Sequence, residues 1–226
     1  MLVRDCMQRE VVSVSPDDTL STALRVTGRH RLRHLPVLLS NGDLVGILTD
    51  RDIRLAMPSP LVSTDVDAAD FLERTPIAAI MTREVITVGP DAPVEDAAKL
   101  IHRHRISALP VLDESMQLLG ILTETDILRA FMQILGVAEP STRIELTLQD
   151  RPGELGRALT VIGERAGVNI VSVLVPPQAL GGKRHAVLYL ATIDPRGTLR
   201  ELTAAGFLVK WAGLDESQTE SASLPG

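Results

Sequence analysis

An internal repeat limits what this 226-residue chain can fold into more than any other feature. Shifting the sequence by 74 positions lays residues 7–56 on residues 81–130 without a gap, and 23 of the 50 pairs are identical. Glu10-Val11 meets Glu84-Val85, Pro16-Asp17 meets Pro90-Asp91, and Arg29-His30-Arg31 meets Arg103-His104-Arg105. Leu35-Pro36-Val37-Leu38 returns as Leu109-Pro110-Val111-Leu112. The strongest block, Gly46-Ile47-Leu48-Thr49-x-x-Asp52-Ile53, returns as Gly120-Ile121-Leu122-Thr123-x-x-Asp126-Ile127. Two copies of this length predict two similar modules that bury apolar faces against each other, whereas an open solenoid needs three or more units.

Each copy reads as strand, helix, strand, strand, helix. Residues 11–14 and 85–88 are short β-branched runs closed by Pro16 and Pro90, the pattern of a strand before a turn. Ala23, Val26, Thr27 and His30, like Ala97, Leu100, Ile101 and His104, recur at spacings of three and four and predict half-buried helices. Residues 35–39 and 44–48 flank Ser40-Asn41-Gly42-Asp43 as a hairpin, and the second copy turns through residues 113–116. A further helix begins near Thr49 and near Thr123. The expected layout is a first module over 1–58, a linker over 59–75, a second module over 76–135 and a linker over 136–141.

A different unit follows at 142–213, ahead of a polar tail at 214–226. Residues 143–148 alternate as a strand, and Leu155, Ala158, Leu159, Ile162 and Ala166 form one helix face. Residues 168–175 and 185–193 read as strands, residues 198–205 as a helix and residues 207–211 as a last strand. Strand, helix, strand, strand, helix, strand is the ferredoxin-like βαββαβ plan. The whole chain is therefore expected to be α/β (α+β), with two modules packed as a pseudo-symmetric pair.

Composition excludes several roles. Aromatic residues make up only 2% (Phe71, Phe131, Phe207, Tyr189 and Trp211), too few for a surface that stacks nucleobases. The net charge is −6 and no segment is strongly basic, so the electrostatic footprint of a DNA or RNA binder is missing. Cys6 is the single cysteine, which rules out an intrachain disulfide and favours a reducing, cytoplasmic setting. The first residues carry no apolar signal region, and the longest uncharged stretch, 166–182, is broken by Asn169, Pro176 and Pro177, so no membrane partner is expected. Gly-x-Ser-x-Gly, Walker, His-Glu-x-x-His and Gly-x-Gly-x-x-Gly signatures are absent, which argues against an enzyme.

The repeated Leu-Pro-Val-Leu and Gly-Ile-Leu-Thr-x-x-Asp-Ile blocks resemble a tandem of cystathionine β-synthase (CBS) domains. The third unit resembles an ACT domain, the amino-acid-sensing regulatory fold, through Asp150-Arg151-Pro152-Gly153-Glu154-Leu155 and Gly167-Val168-Asn169-Ile170. The combination is similar to the acetoin-utilisation regulatory proteins of bacteria. That resemblance implies a homodimeric, non-catalytic regulator acting on an unnamed enzyme partner. It needs no cofactor and takes an adenine nucleotide as its regulatory ligand. A regulator responsive to S-adenosylmethionine or an amino acid, a metabolic enzyme and a transcriptional regulator remain open alternatives.

The same resemblance marks the candidate site residues. Asp52 and Asp126 would accept hydrogen bonds from ribose hydroxyls, with Thr49 and Thr123 near phosphate at a helix start that offers free N–H groups. Thr-x-x-Asp is also the pattern of a helix capping box, so the local sequence supports both readings. His30-Arg31 and His104-Arg105 would add positive charge for phosphate, and they also suit a helix C-terminus. The run from His104 to Val111 looks like the phosphate-contacting segment of the nucleotide-sensing subunit of an AMP-regulated kinase. Pro36 and Pro110 of the repeated motif belong to the same set. The first copy departs by carrying Arg33-His34 where the second has Ser107-Ala108, which predicts unequal sites. In the third unit Asp150, Gly153, Glu154 and Leu155 would cradle a small effector, with Asn169 facing it. No metal is expected, because His102-x-His104 lacks cysteine or carboxylate partners.

Overall fold

The computed structural model describes residues 1–57, 65–136, 140–178 and 181–211. They divide after Ala130 into two compact units. Each copy of the repeat contributes a helix, a two-stranded antiparallel hairpin and a second helix, which in the second copy runs past the division at Ala130. The first copy supplies α2 (Leu20–His30), β1 (His34–Leu38), β2 (Leu44–Thr49) and α3 (Asp50–Ala56); the second supplies α5 (Val94–His104), β3 (Ala108–Leu112), β4 (Leu118–Thr123) and α6 (Glu124–Ile134). The hairpins share one register, with Leu35 opposite Leu48 and Leu109 opposite Leu122, and all four of these leucines are fully buried.

The strands expected at 11–14 and 85–88 are corrected to single parallel bridges, Val14 to Val37 and Val88 to Val111. Val14 donates to the Pro36 carbonyl and accepts from the Leu38 N–H, and Val88 does the same with Pro110 and Leu112. The next ladder bond on one side would need an N–H from Pro36 or Pro110, and on the other from Pro16 or Pro90. Proline has none, so the ladder ends after one residue at both ends.

Each module is completed by a lead segment that the sequence attaches to the other. Helix α1 (Val3–Cys6) joins the second copy, with Val3 N–H on Ala92, Arg4 N–H on Pro90 and an antiparallel bridge from Gln8 to Ile121. The counterpart 74 residues on joins the first copy: Leu20 donates to Thr75, Ile77 to Asp18, and Thr82 bridges Ile47. Ile77 and Met81 accordingly lie in the buried core built by Leu20, Leu35, Val37 and Ile53. Part of the segment expected as a linker is helix α4 (Asp65–Arg74), whose Phe71 and Leu72 pack on that same core. Residues 59–64 of that segment, and residue 58 before it, lie outside the described residues.

The lead segments approach so closely that the repeated motif needs glycine. A Cβ on Gly120 would stand 2.7 Å from the Gln8 carbonyl oxygen and 2.8 Å from Met7 Sδ. One on Gly46 would stand 2.5 Å from Met81 Sδ and 3.1 Å from the Thr82 carbonyl.

The second unit begins the expected plan with β5 (Thr142–Gln149) and α7 (Glu154–Thr160), the helix running on as a π-turn over Val161–Arg165. It continues through β6 (Ile170–Leu174), β7 (Lys183–Leu190), α8 (Arg196–Ala204) and β8 (Leu208–Lys210). The sheet order β6-β7-β5-β8, antiparallel throughout, is the ferredoxin-like arrangement. Alternation along β5 buries Ile144, Leu146 and Leu148 against Ala158, Ile162 and Leu202 of the helical layer. No described helix is long and apolar enough to cross a membrane.

Candidate functional site

Two clefts of about 300 and 380 Å³ open in the first unit. Every residue lining the smaller has its repeat counterpart lining the larger. Gln8, Glu10, Val11 and Val12 answer to Thr82, Glu84, Val85 and Ile86; Arg31 through His34 answer to Arg105 through Ala108; Ile121 and Thr123 answer to Ile47 and Thr49. Each cleft therefore combines the post-helix turn of one copy with the Thr-x-x-Asp of the other. The fold joins Thr49 and Asp52 to Arg105, and Thr123 to Arg31. This crossing follows from the exchanged lead segments.

Arg31 and Arg105 each end a helix in the left-handed conformation, φ 53° and 54°. That turn breaks the helix and carries the chain into the cleft wall. His30 and His104 are exposed on the preceding helical turn, outside both cleft linings, and Pro36 and Pro110 are buried in the hairpins. Arg33, Arg51 and Arg54 join Arg105 around the larger cleft, where the carboxylates are Asp50, Asp52 and Glu84. Arg54 is paired with Asp50 at 3.0 Å. Among the described residues no carboxylate lies within ion-pair distance of Arg33, Arg51 or Arg105, so the larger cleft carries unspent positive charge.

Both Thr-x-x-Asp motifs form capping boxes. Thr49 Oγ1 accepts the Asp52 N–H at 3.2 Å while Asp52 Oδ2 accepts the Thr49 N–H at 2.8 Å and its hydroxyl at 2.6 Å. Thr123 and Asp126 repeat this at 3.3, 3.0 and 2.6 Å. Each hydroxyl proton is thus already donated to its carboxylate, and the threonines orient the acids rather than offering a donor to phosphate.

The other carboxylate oxygen separates the two sites. Asp126 Oδ1 accepts from Gln8 Nε2 at 2.9 Å and Arg129 Nη1 at 3.0 Å, and the residue is 3% exposed. Burial alone would raise its pKa, but the bonds from Thr123, Gln8 and Arg129 outweigh burial and hold the carboxyl below its ordinary value. At Asp52 the positions of Gln8 and Arg129 are taken by Thr82 and Leu55. Asp52 Oδ1 has no partner among the described residues, and Asp52 lines its cleft.

His34 borders both clefts, and its Nε2 lies 2.6 Å from Ser107 Oγ. Burial first and Arg33 second lower its pKa, partly offset by Asp50, Glu124 and Asp52. The Cys6 thiol bonds the Val3 carbonyl, and burial followed by the Asp126 charge raises its pKa, which disfavours the thiolate. Sequence reasoning missed Gln8, Glu84 and Arg51, and took Arg33 only as a departure between copies. The Gln8-to-Thr82 difference is visible once the copies are aligned, but its meaning depends on the crossing.

In the second unit the effector cradle is not assembled as expected. Asp150 is paired with Arg184 at 2.6 Å, and Glu154, 6% exposed, is clamped by Arg151 and Arg157 at 2.9 and 2.7 Å. The Arg157 bond first, joined by Arg151 and opposed by burial, holds the Glu154 carboxyl below its ordinary value. Gly153 turns into α7 at φ 84° and Leu155 packs on the core. Asn169 does not face them, because β6 runs parallel to β5. Its carbonyl accepts the Ala191 N–H beside the start of β5, whereas Asp150 lies at the far end beside Gly182. Eight strand residues separate the two ends, roughly 25 Å.

Comparison with known proteins matches the CBS domain family over residues 3–59 and 77–133. A CBS domain-containing protein of Dictyostelium discoideum is 34% identical over 143 residues, 63% of this chain and 99% of that protein. Homoserine O-acetyltransferase of Methanococcoides burtonii is 40% identical over 127 residues, 56% of this chain but only 23% of the enzyme. Among solved structures, the CBS domain pair of protein MJ0100, in complex with 5′-methylthioadenosine and S-adenosyl-L-methionine, is 31% identical with a TM-score of 0.50, over 62% of this chain and 98% of that one. CBSX2 in complex with AMP is 28% identical with a TM-score of 0.50, covering 59% of this chain and 97% of that one. A Vibrio cholerae protein described as the acetoin utilization protein AcuB is 26% identical with a TM-score of 0.51, over 62% of this chain and 98% of that one. The duplicated motif, the crossed modules and these matches lead to one assignment: the chain belongs to the CBS domain family and carries the domain as a tandem pair.

Proposed function

We propose that this chain is a non-catalytic regulator that senses an adenine nucleotide through the cleft bearing Asp52. One observation carries the reading. Among the described residues, a capped carboxylate with one oxygen free to accept ribose hydroxyls lines a cleft in which Arg33, Arg51 and Arg105 have no acidic partner. The ribose hydroxyls would donate to Asp52, and the arginines would take the phosphate. Related CBS pairs hold AMP, or 5′-methylthioadenosine and S-adenosyl-L-methionine, which supports the adenosine part. The surplus of arginine favours a phosphorylated ligand over the positively charged sulfonium of S-adenosylmethionine.

The C-terminal unit is proposed to be an ACT-type module that pairs subunits rather than one that binds an effector by itself. Its sheet has the ferredoxin-like order, and the acids at the entry to α7 are consumed by internal ion pairs. The assembly is read as a homodimer, and the likeness to AcuB makes acetoin metabolism the proposed setting. The bounds proposed are residues 1–135 for the tandem and 142–213 for the ACT-type module.

Thermal-shift measurements with AMP, ADP, ATP, adenosine and S-adenosylmethionine test the reading. A ligand at 100 times its dissociation constant stabilises by about 2.7 kcal/mol, so the nucleotides are expected to raise the melting temperature. No shift with any adenine nucleotide, or a shift with S-adenosylmethionine alone, contradicts it. Light scattering at micromolar concentration is expected to give the mass of two chains.

A further inference from the structure

We propose that the tandem binds one nucleotide per chain, because Gln8 and Arg129 occupy the Asp126 carboxylate and close the second site from within. The inference rests on the adenine-nucleotide reading above and adds to it which cleft is used and which residues decide.

The two clefts share their backbone plan, so a second nucleotide would be expected from symmetry alone. At Asp126 the oxygen that corresponds to the free one of Asp52 is already bonded twice, by the Gln8 amide and the Arg129 guanidinium. The amide N–H groups of Gln8 stand where a ribose hydroxyl would have to donate. Asp126 is 3% exposed and does not line its cleft, whereas Asp52 does. An incoming ribose would have to break bonds to a charged group before making its own, and such a bond is worth roughly 10- to 100-fold in an equilibrium constant. The exchange gains nothing, so the site stays empty at concentrations that fill the other.

Gln8 reaches Asp126 because the bridge to Ile121 fixes its backbone beside β4, and Gly120 lets it approach. Arg129 reaches it from one helical turn further along α6. Thr82 is held by the same bridge to Ile47, but its side chain is two heavy atoms shorter than glutamine, and Leu55 has no donor. Two substitutions between copies therefore separate a self-satisfied carboxylate from an open one.

Calorimetric titration of the full chain with AMP tests this by stoichiometry. The wild-type chain is expected to bind one equivalent, and the Gln8→Thr/Arg129→Leu double variant, which copies the Asp52 surroundings, two. The mirror variant Thr82→Gln/Leu55→Arg changes two exposed positions and is expected to lose at least 10-fold in affinity for the first equivalent. Two equivalents on the wild-type chain, or full affinity in a folded mirror variant, would overturn the inference while leaving the nucleotide reading intact. Absence of any AMP binding by the wild-type chain overturns both. If the first double variant does not fold, the mirror variant decides alone.

Discussion

The two clefts of the tandem are lined by repeat-related residues, yet their acids are in opposite states. Asp52 has one oxygen open toward its cleft; Asp126 has none, and its carboxylate ties the lead segment to α6. Duplication copies a backbone frame, and on the reading proposed above a pair of side chains decides whether a frame serves as a binding site or a structural joint. Buried charge is stable only when bonded, so Asp126 is expected to contribute to stability and Asp52 to recognition.

The largest effect that can break this comparison is steric. Gly120→Ala drives a Cβ against a backbone carbonyl, while Gly46→Ala meets mainly the flexible end of Met81. Overpacking of this kind costs about 1–3 kcal/mol, and Gly120→Ala is expected near the upper end with Gly46→Ala well below it. Urea denaturation of both variants checks the order; a larger cost at Gly46 would mean that the two joints are not built as described.

A somewhat smaller contrast concerns the acids. Asp126→Ala removes a cap and the bonds from Gln8 and Arg129 and is expected to lower stability by about 2 kcal/mol. Asp52→Ala removes a cap alone, about 1 kcal/mol. Equal losses would erase the structural difference between the sites.

Arg105→Ala sharpens the recognition side. It is expected to weaken AMP by about 1 kcal/mol at low salt, less at high salt, and to leave adenosine unchanged, whereas Arg31→Ala leaves both unchanged.

The smallest effect is the pH dependence of His34. Its folded pKa is lowered, so between the ordinary value near 6.5 and the lower folded value the unfolded chain binds more protons. The stability that neutral His34 supplies is complete above that ordinary value and declines as pH falls through the window. His34→Asn is expected to flatten the fall in melting temperature on acidification, and an unchanged slope would show that His34 carries none of it.

The tandem, both hairpins and the ferredoxin-like order were legible because each rests on local signals: repeat identity, apolar spacing and turn residues. The single bridges at Val14 and Val88 were not, since the β-branched run gives no sign that Pro36 and Pro110 withhold donors from another segment. The crossing of modules was hidden for a related reason. Val3 and Ile77 are apolar residues near helix starts in the sequence, and only packing reveals that each completes the distant copy. Asn169 was misplaced because the sequence does not show at which end of the sheet β6 begins. A parallel strand begins at the end of the sheet opposite to where its predecessor stops.

The central claim is that Asp52, and not its repeat partner, reads the ligand. Calorimetry of the full chain with AMP and with 2′,3′-dideoxyadenosine monophosphate, in Asp52→Ala and Asp126→Ala backgrounds, tests it directly. Asp52→Ala is expected to weaken AMP by about 1.5–3 kcal/mol and the dideoxy analogue far less, with Asp126→Ala close to wild type for both. Undiminished AMP affinity in Asp52→Ala, or the same loss in Asp126→Ala, would contradict the account.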